Sequence, residues 1–494
     1  MIYASLNAQV MERKVLRWAA DAESGAPFVF QDPNNPSKYI GFEVDIIKAI
    51  AEEMGYDDQF IQVGWDGLIP GINNGNYDVA INGLEITPDR KESVEFSIPY
   101  YYTFEQLIIK ADDNSITSLS SLFGKKAGTL KGSLAERILR AAEGIDVVTY
   151  DSETQSFQDL RLGRLDAVLI DEPVAKYYAS WNPDLKLVNK QIDKVIYGIV
   201  IQQGNTELLQ KVNNALQKII DSGRLREIYE SWNLWNPMMA AEFNDYTQSN
   251  VPPNNFDLFM ETVTSNRNSV LIGRLGGYTK YLGLFAKAAF ITFELTLFGM
   301  ALAVIIGLFV ALLRLNAPKP ISFLAQAYVE YVRGTPLLLQ LILIYYGLPQ
   351  LGIEMNALYA GIIGLGINYS AYEAEIYRAG LLSVRRGQME AAISLGMNKI
   401  QAMRHVVVPQ AVRLVIPPVT NDAISMLKDS SIVSIIALTE LTKQYLISAS
   451  ANYDYIELGI IVAHFYLILG VPFIILSRYL ERKFSLSTKD TAKI

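Results

Sequence analysis

Five apolar segments in the second half of the chain constrain its fold more than any other feature. They cover residues 286–313, 335–351, 357–376, 415–438 and 456–478. Most of them approach the ~20 residues that an α-helix needs to cross a lipid bilayer. Five such runs are too many for the buried core of one soluble domain. The sequence therefore predicts an all-α membrane domain of five helices over residues 283–494.

The first half of the chain is polar and turn-rich, and it alternates apolar strands with amphipathic helices. Residues 42–54, for example, repeat their apolar side chains at helical spacing. This alternation predicts α/β lobes built on parallel sheets. The extended aromatic segment 96–110 and a return near 195–201 would carry the chain twice between two lobes. Two lobes joined in this way predict a clamshell over residues 14–235.

Two further segments flank the clamshell. Residues 1–13 form an N-terminal extension without the continuous apolar core of a secretion signal, so we expect either a removed leader or another export route. Residues 236–282 are rich in Asn, Pro and Ser and are predicted to link the clamshell to the membrane domain.

The positive charges between the apolar segments predict the orientation in the membrane. They follow the first segment, fill the connection between the third and fourth, and follow the fifth. The residues are Arg314, Lys319, Arg385, Arg386, Lys399, Arg404, Arg413, Arg482 and Lys483. With five spans these three places share one side, and positively charged connections are usually cytoplasmic. The C-terminus is therefore expected inside and residues 14–235 outside a bacterial plasma membrane.

A polar stretch at residues 385–410 lies between the third and fourth apolar segments. Its residues predict a helix broken at Gly396 and a second helix that starts near Asn398 and is stopped by Pro409. The order Glu-Ala-Ala, Gly, and then Pro after apolar residues resembles the EAA loop of ABC importer permeases. The resemblance implies that these residues dock a separate ATP-hydrolysing subunit: Glu390, Ala391, Ala392, Gly396, Arg404 and Pro409.

Residues 15–235 resemble the periplasmic binding proteins for polar amino acids. The stretches that carry the resemblance include YIGFEVDIIKAIAEEMG, WDGLIPGINNGNYDVAINGLEITPDR and LDAVLIDEPVAKYY. The ligand of such a protein is a zwitterion, and both of its charges must be paired when it is enclosed.

The predicted ligand contacts lie at the ends of helices and strands. Arg90 can hold the α-carboxylate through two parallel hydrogen bonds. Ser133 opens a helix whose N–H groups offer a second carboxylate contact. Asp171 follows a strand and can pair with the α-ammonium group. The resemblance implies three more contacts, which are Gly83, Thr87 and Trp65.

Glu85 stands where the resembled family usually has Ser or Thr. Together with Asp21 and Glu23 it predicts an acidic site that favours a cationic side chain, that of arginine or lysine. Glu85 can equally serve the α-ammonium group, and Asp21 or Glu23 can bind a neutral amide or face solvent. The sequence therefore leaves basic amino acids and glutamine open as ligands.

Several functions are disfavoured by what the sequence lacks. It has no phosphate-binding loop of the Gly-x4-Gly-Lys-Ser/Thr type, so ATP and Mg²⁺ are expected in a partner subunit and no cofactor in this chain. Two histidines and no cysteine give little support to a metal site or a catalytic triad, and we predict no catalytic residues. The net charge of −8, without basic runs, disfavours nucleic acid as a partner.

The resemblance implies a receptor–permease fusion that works as a homodimer with two ATPase subunits. One alternative is a ligand-gated channel or sensor that uses the same clamshell, but such receptors insert their pore between the lobes. Another is an enzyme on the same fold, such as a dehydratase, which would not need five spans. In the fourth apolar segment, Lys428 and Asp429 either pair with each other or line a path.

Overall fold

The computed structural model describes residues 13–23, 26–179, 182–247, 251–267, 275–452 and 454–484. The chain divides into two compact units, Met1–Gly277 with Ile447–Asp454, and Tyr278–Leu446 with Tyr455–Ile494. The predicted N-terminal extension lies outside the described residues, apart from Arg13. Each unit is described by itself below.

The first unit contains short strands separated by helices. The strands are β1 (Val15–Ala20), β2 (Phe30–Gln31), β3 (Tyr39–Ile40), β4 (Asp57–Gln62), β5 (Val79–Ala80), β6 (Val94–Phe96), β7 (Tyr101–Lys110), β8 (Lys126–Leu130), β9 (Asp146–Tyr150), β10 (Ala167–Asp171), β11 (Leu185–Tyr197) and β12 (Val200–Gln202). The helices are α1 (Phe42–Met54), α2 (Leu68–Asn73), α3 (Pro88–Lys91), α4 (Leu134–Ala141), α5 (Glu153–Arg161), α6 (Glu172–Ala179), α7 (Thr206–Asp221), α8 (Arg224–Ser231), α9 (Pro237–Glu242) and α10 (Asn254–Arg267).

The strands form two five-stranded sheets, one in each lobe of the clamshell. Their orders are β4-β1-β5-β12-β6 and β11-β7-β10-β8-β9. The sheets are mixed, so the prediction of parallel sheets was wrong. β1 runs parallel to β4 and β5, whereas β12 is antiparallel to both of its neighbours. In the second sheet β7 is antiparallel to β10 and β11. The antiparallel strands are those that carry the chain into and out of the second lobe.

The two predicted crossings between the lobes are present, at residues 97–100 and 198–199. They lie side by side and are hydrogen-bonded to each other. The Ser97 amide donates to the Ile199 carbonyl at 2.9 Å, and the Ile199 amide donates to the Ser97 hydroxyl at 2.9 Å. The Tyr100 amide donates to the Tyr197 carbonyl at 3.1 Å. Such a paired connection leaves two lobes able to move about one narrow junction.

The remaining helices follow in order along the chain. They are α11 (Thr279–Asn316), α12 (Lys319–Gly334), α13 (Leu337–Ile342), α14 (Ala357–Ser383), α15 (Arg386–Ser394), α16 (Lys399–Ala402), α17 (Val408–Asp429), α18 (Leu441–Asn452) and α19 (Tyr455–Phe484). Among the described residues, α11 and the Tyr455–Leu480 part of α19 are long and apolar enough to cross a membrane as single helices. The other predicted spans are largely helical but shorter, interrupted or more polar, and the number of five stays a prediction.

Helices α11 and α14 pack through glycine. A Cβ atom at Gly307 would lie 2.6 Å from the Glu373 Cβ and 2.9 Å from the Ser370 carbonyl oxygen. Small residues allow such close approach between membrane helices. Near this contact Asp429 accepts a hydrogen bond from the Tyr369 hydroxyl at 2.6 Å. In the described part of the chain Lys428 is exposed and makes no ion pair with Asp429, which corrects that alternative.

Candidate functional site

The first unit encloses a small cavity lined by residues from both lobes. Four of the predicted ligand contacts line it, and these are Trp65, Glu85, Ser133 and Asp171. Phe28, Glu105 and Glu153 also line it and were missed by the sequence reasoning. Four of the described lining residues are acidic, and none is lysine or arginine. The acidic residues are Glu85, Glu105, Glu153 and Asp171. The cavity is therefore strongly acidic.

Arg90 reaches the edge of this cavity from α3. The Thr87 hydroxyl accepts a hydrogen bond from the Arg90 amide at 3.4 Å, so Thr87 is the N-cap residue that starts α3. The Arg90 guanidinium forms an ion pair with the Glu85 carboxylate. It also donates to the Gly132 carbonyl at 3.2 Å, and its central carbon lies 5.5 Å from the centre of the Trp65 ring. Arg90 is thus already engaged by an acidic side chain of its own lobe.

The N-terminus of α4 faces the same carboxylate. Ser133 is the N-cap residue, and its hydroxyl accepts from the Glu136 amide at 3.2 Å. The Leu134 amide, the first of the helix, donates to Glu85 Oε1 at 2.9 Å. Both predicted carboxylate contacts, the guanidinium and the helix N-terminus, therefore meet at one point. In this structure the Glu85 carboxylate lies between them.

Asp171 ends β10 and lies opposite Glu105 of β7 in the sheet register. Burial, followed by the charge of Asp171, raises the pKa of Glu105 well above its usual range. Burial, followed by the charge of Glu85, raises the pKa of Asp171. The two carboxyl groups are close enough to affect each other's protonation, yet neither Glu105 oxygen has a well-aligned hydrogen bond in the described residues. A cationic group between them would satisfy both.

Glu153 is the fourth acidic residue of the cavity and the first residue of α5. It is 4% exposed, and its Oε2 atom has no hydrogen-bond partner in the described residues. Burial raises its pKa to about 8. A carboxyl group that is buried without a partner costs stability when it ionises, and such groups are common at ligand sites.

The other predicted contacts are not among the described residues that line the cavity. The Asp21 carboxylate accepts from the Trp65 amide at 2.9 Å and from Gln62 Nε2 at 2.8 Å, so it supports the loop that carries Trp65. Glu23 is buried nearby and is likewise absent from the described lining. The Gly83 amide donates to Glu43 Oε1 at 2.7 Å. Glu43, also unpredicted, has its pKa raised to about 8 by burial.

The second candidate site is the hairpin of residues 385–410. Helix α15 ends before Gly396, whose φ of +89° is the left-handed conformation that glycine adopts without strain. Asn398 caps α16 through a reciprocal pair of hydrogen bonds with Gln401. Pro409 does not stop this helix, contrary to prediction. The chain passes through a π-helical turn, Met403–Val407, into α17, where Pro409 lies in the first turn and needs no amide partner.

The hairpin leaves most of the predicted coupling residues exposed. Among them, Glu390, Ala391, Gly396, Arg404 and Pro409 are exposed, whereas Ala392 is buried. Two large apolar side chains flank the turn, because Leu395 is 82% and Ile400 is 79% exposed. Exposed apolar side chains beside charged ones are typical of a protein contact surface.

Two families match the two halves of the chain. Residues 16–234 match the bacterial extracellular solute-binding proteins, family 3. Residues 303–486 match the binding-protein-dependent transport system inner membrane component. Neither match includes a catalytic domain.

The similar proteins divide in the same way. A probable glutamine ABC transporter permease protein, GlnM of Bacillus subtilis (strain 168), is 39% identical over 36% of this chain and 83% of its own. The L-cystine-binding protein TcyJ of Escherichia coli (strain K12) is 32% identical over 42% of this chain and 78% of its own. A putative ABC transporter arginine-binding protein 2 of the same strain is 34% identical, over 46% and 93%.

These matches cover both the clamshell and the helical half, and each relative is covered over most of its length. They confirm the resemblance that the sequence motifs carried. The chain belongs to the amino-acid ABC importers and joins a solute-binding domain of family 3 to a membrane permease domain.

Proposed function

We propose that this chain is the receptor and permease subunit of an ATP-driven importer for basic amino acids. The observation that carries the proposal is the charge of the cavity. Four acidic side chains line it, and the nearby guanidinium of Arg90 is already paired with Glu85. A ligand with more positive than negative charge compensates such a site best, because a buried charge must be paired.

The arrangement of the side chains that line the cavity supports the same ligand class. Asp171, at the end of β10, lies opposite Glu105 in the middle of β7, and the two can receive an α-ammonium group. Glu153 supplies a separate carboxyl group for a side-chain cation. The rings of Trp65 and Phe28 can pack against the methylene groups between the two charges.

Glutamine is the second candidate ligand. One relative is named an arginine-binding protein, which agrees with the acidic cavity, but the related permease is named for glutamine. The side-chain amide of glutamine could satisfy Glu153 Oε2 in two ways. A protonated Glu153 would donate to the amide oxygen, and an ionised Glu153 would accept from the amide NH₂. The raised pKa of Glu153, about 8, permits the first of these.

The permease domain is proposed to couple to a separate ATPase through the hairpin 385–410. Its exposed Leu395 and Ile400 support a contact with another protein. We further propose a homodimer with two ATPase subunits, which hold the ATP and Mg²⁺, with the hairpin in the cytoplasm and the binding domain outside. ATP binding would then move the hairpins and switch the side to which the permease is open.

A binding screen on the full chain in lipid nanodiscs tests the ligand. All five tryptophans lie before residue 236, so tryptophan fluorescence reports the binding domain alone. Arginine and lysine are expected to bind more tightly than glutamine, and glutamate not at all. Tight binding of glutamine or cystine without any of arginine or lysine would overturn the basic-amino-acid proposal.

Transport in vesicles separates the importer from a ligand-gated channel. Uptake against a gradient is expected only when the ATPase subunit and ATP are both added. Arginine-gated flux without any ATPase would favour the channel instead.

A further inference from the structure

A buried carboxyl group on α1 joins two separate parts of the clamshell. Glu43 is the second residue of α1, and its side chain is completely buried. Its Oε1 atom accepts two hydrogen bonds, one from the Gly83 amide at 2.7 Å and one from the Tyr100 hydroxyl. A single oxygen atom therefore connects the segment that follows β5 to the first crossing between the lobes.

The segment after β5 forms part of the cavity wall. Asn82 and Glu85, on either side of Gly83, both line the cavity. Gly83 has a φ of +62°, and a Cβ atom there would lie 3.0 Å from the ring of Phe28, another lining residue. The buried Gly83 amide needs a hydrogen-bond acceptor, and Glu43 supplies it. Glu43 itself is not among the described residues that line the cavity, so it supports the wall from behind.

The crossing at the other end of this link is held through its backbone. The Tyr100 amide donates to the Tyr197 carbonyl at 3.1 Å, and the Tyr100 carbonyl accepts from the Tyr229 hydroxyl. The second crossing reaches the same wall segment, because the Gly198 amide donates to the Leu84 carbonyl at 3.1 Å. Residues of a hinge absorb the change in backbone torsion when two lobes move. The position of the first crossing is therefore transmitted to the cavity wall through the Tyr100 hydroxyl.

A carboxyl group is a destabilising choice for a purely structural support at this position. The Oε2 atom of Glu43 has no hydrogen-bond partner in the described part of the chain. Burial raises the pKa of Glu43 to about 8, although the hydrogen bonds from Tyr100 and Gly83 lower it, and the charge of Asp171 raises it further. Groups whose ionisation is opposed in this way are more frequent at functional sites than in ordinary cores.

We propose that Glu43 is a positioning residue for ligand binding, which fixes the wall segment 82–85 against the first crossing so that lobe closure also places the lining side chains. It acts through Gly83 and Tyr100 and does not touch the ligand. The proposal deepens the proposed function, because it rests on an amino acid binding in this cavity. Its consequence is kinetic: without the link the ligand still enters at the same rate, but the closed form is held less well and the ligand leaves faster.

Tyr100→Phe tests the link, because it removes one hydroxyl and retains the ring and the backbone contacts. Arginine is the probe, and stopped-flow tryptophan fluorescence of the full chain in nanodiscs follows its binding, since Trp65 lines the cavity. The dissociation rate constant is expected to rise by about fivefold or more, with the association rate constant within about twofold of the wild type. Tyr150→Phe is the matched control, because the Tyr150 hydroxyl donates to Asp159 at 2.7 Å outside the described cavity lining. It should leave both rate constants unchanged.

Two substitutions of Glu43 complete the test. Glu43→Gln retains an acceptor oxygen for both donors and should bind and release arginine much as the wild type does. Glu43→Leu retains the volume without the acceptor, and it should release arginine at least as fast as Tyr100→Phe. In the Glu43→Leu background, Tyr100→Phe should have no further effect on the dissociation rate, because the link is already absent.

The outcomes separate the role of Glu43 from the choice of ligand. An unchanged dissociation rate in Tyr100→Phe overturns the proposal, and this variant decides by itself if Glu43→Leu does not fold. Equal acceleration by Tyr100→Phe with and without Glu43 also overturns it, since the hydroxyl would then act through another group. A wild type that binds glutamine but neither arginine nor lysine overturns the preference for basic amino acids instead. The same rate constants measured with glutamine then decide the role of Glu43.

Discussion

Asp171 and Glu105 lie directly opposite each other on antiparallel strands, and both line the enclosed cavity. Burial is the largest cause that raises the pKa of both groups, and the charge of Asp171 raises the pKa of Glu105 further, whereas the side-chain hydrogen bond with Glu105 lowers the pKa of Asp171. Two carboxyl groups in this position weaken the fold at alkaline pH. They also provide acceptors for a cation, so the same pair opposes stability and favours binding.

Glu105→Gln separates these two effects. The amide NH₂ can donate to Asp171, so the variant is expected to be more stable than the wild type at pH 8 by roughly 1–3 kcal/mol. Its affinity for arginine should fall, because one acidic acceptor is lost. Urea unfolding followed by tryptophan fluorescence, and calorimetric binding, give the two quantities. A variant that is less stable at pH 8 and binds arginine as before would contradict this account.

Glu153 should make the stability of the binding domain depend on pH. Its pKa is raised by burial from an ordinary 4.5 to about 8. The folded domain therefore holds this proton where the unfolded chain has lost it. The contribution of protonated Glu153 to the stability of the folded domain is therefore fully present below about pH 4.5, and it is lost as the pH rises through 8.

Glu153→Gln cannot ionise, so it should lose less stability than the wild type between pH 5 and 8. Denaturant midpoints at several pH values measure the difference, and the control is Glu207→Gln on the exposed face of α7. Parallel pH profiles for the wild type and Glu153→Gln would show that the group does not stay protonated on folding.

The pair formed by Glu85 and Arg90 is expected to be strongly coupled. Arg90→Met leaves Glu85 enclosed without its partner and should cost roughly 3–5 kcal/mol. The double variant Glu85→Gln/Arg90→Met removes both charges and retains an acceptor for the Leu134 amide, so it should cost much less. A double-mutant cycle on unfolding free energies measures the coupling. Additive single effects would mean that the pair is not a unit.

The parts of the site that could be predicted lie at positions with a local sequence signal. Ser133 precedes a helix and Asp171 ends an apolar strand, and such positions can be read without knowing the fold. Trp65 and Glu85 were predicted from the motifs around them, and the structure places both in the cavity lining. The clamshell and its two crossings followed from the alternation of strands and helices and from the position of the aromatic segment.

Glu105 could not be found in this way, because it acts only through its register with Asp171 on a distant strand. The ion pair of Glu85 with Arg90 depends on side-chain direction, which the sequence does not give. Pro409 was misinterpreted because proline stops a helix from within but is favourable in the first turn of a new one. The mixed sheets were missed because strand direction depends on the returning crossings.

The close packing of α11 on α14 makes Gly307 sensitive to size. A valine there would overlap the backbone of α14, since a Cβ atom alone would lie 2.9 Å from the Ser370 carbonyl oxygen. We expect a loss of about 1–3 kcal/mol in the permease domain. The temperature at which the monodisperse peak in size-exclusion chromatography disappears measures this destabilisation. Gly283→Val, on the same helix with open space around it, is the control. Equal behaviour of the two variants would show that this helix contact is not tight.

The exposed turn of the hairpin offers the sharpest test of energy coupling. Leu395→Asp replaces an apolar side chain that is 82% exposed by a charged one, so it should not disturb the fold of this chain. If the turn docks into the ATPase, the buried charge should reduce arginine-stimulated ATP hydrolysis by about tenfold or more, while arginine binding is unchanged. Leu162→Asp is the control, because Leu162 is 64% exposed and follows α5 in the binding domain, outside the predicted membrane segments and the hairpin. Normal ATP hydrolysis in Leu395→Asp would mean that the ATPase contacts the permease elsewhere, and loss in both variants would point to a general effect of the added surface charge.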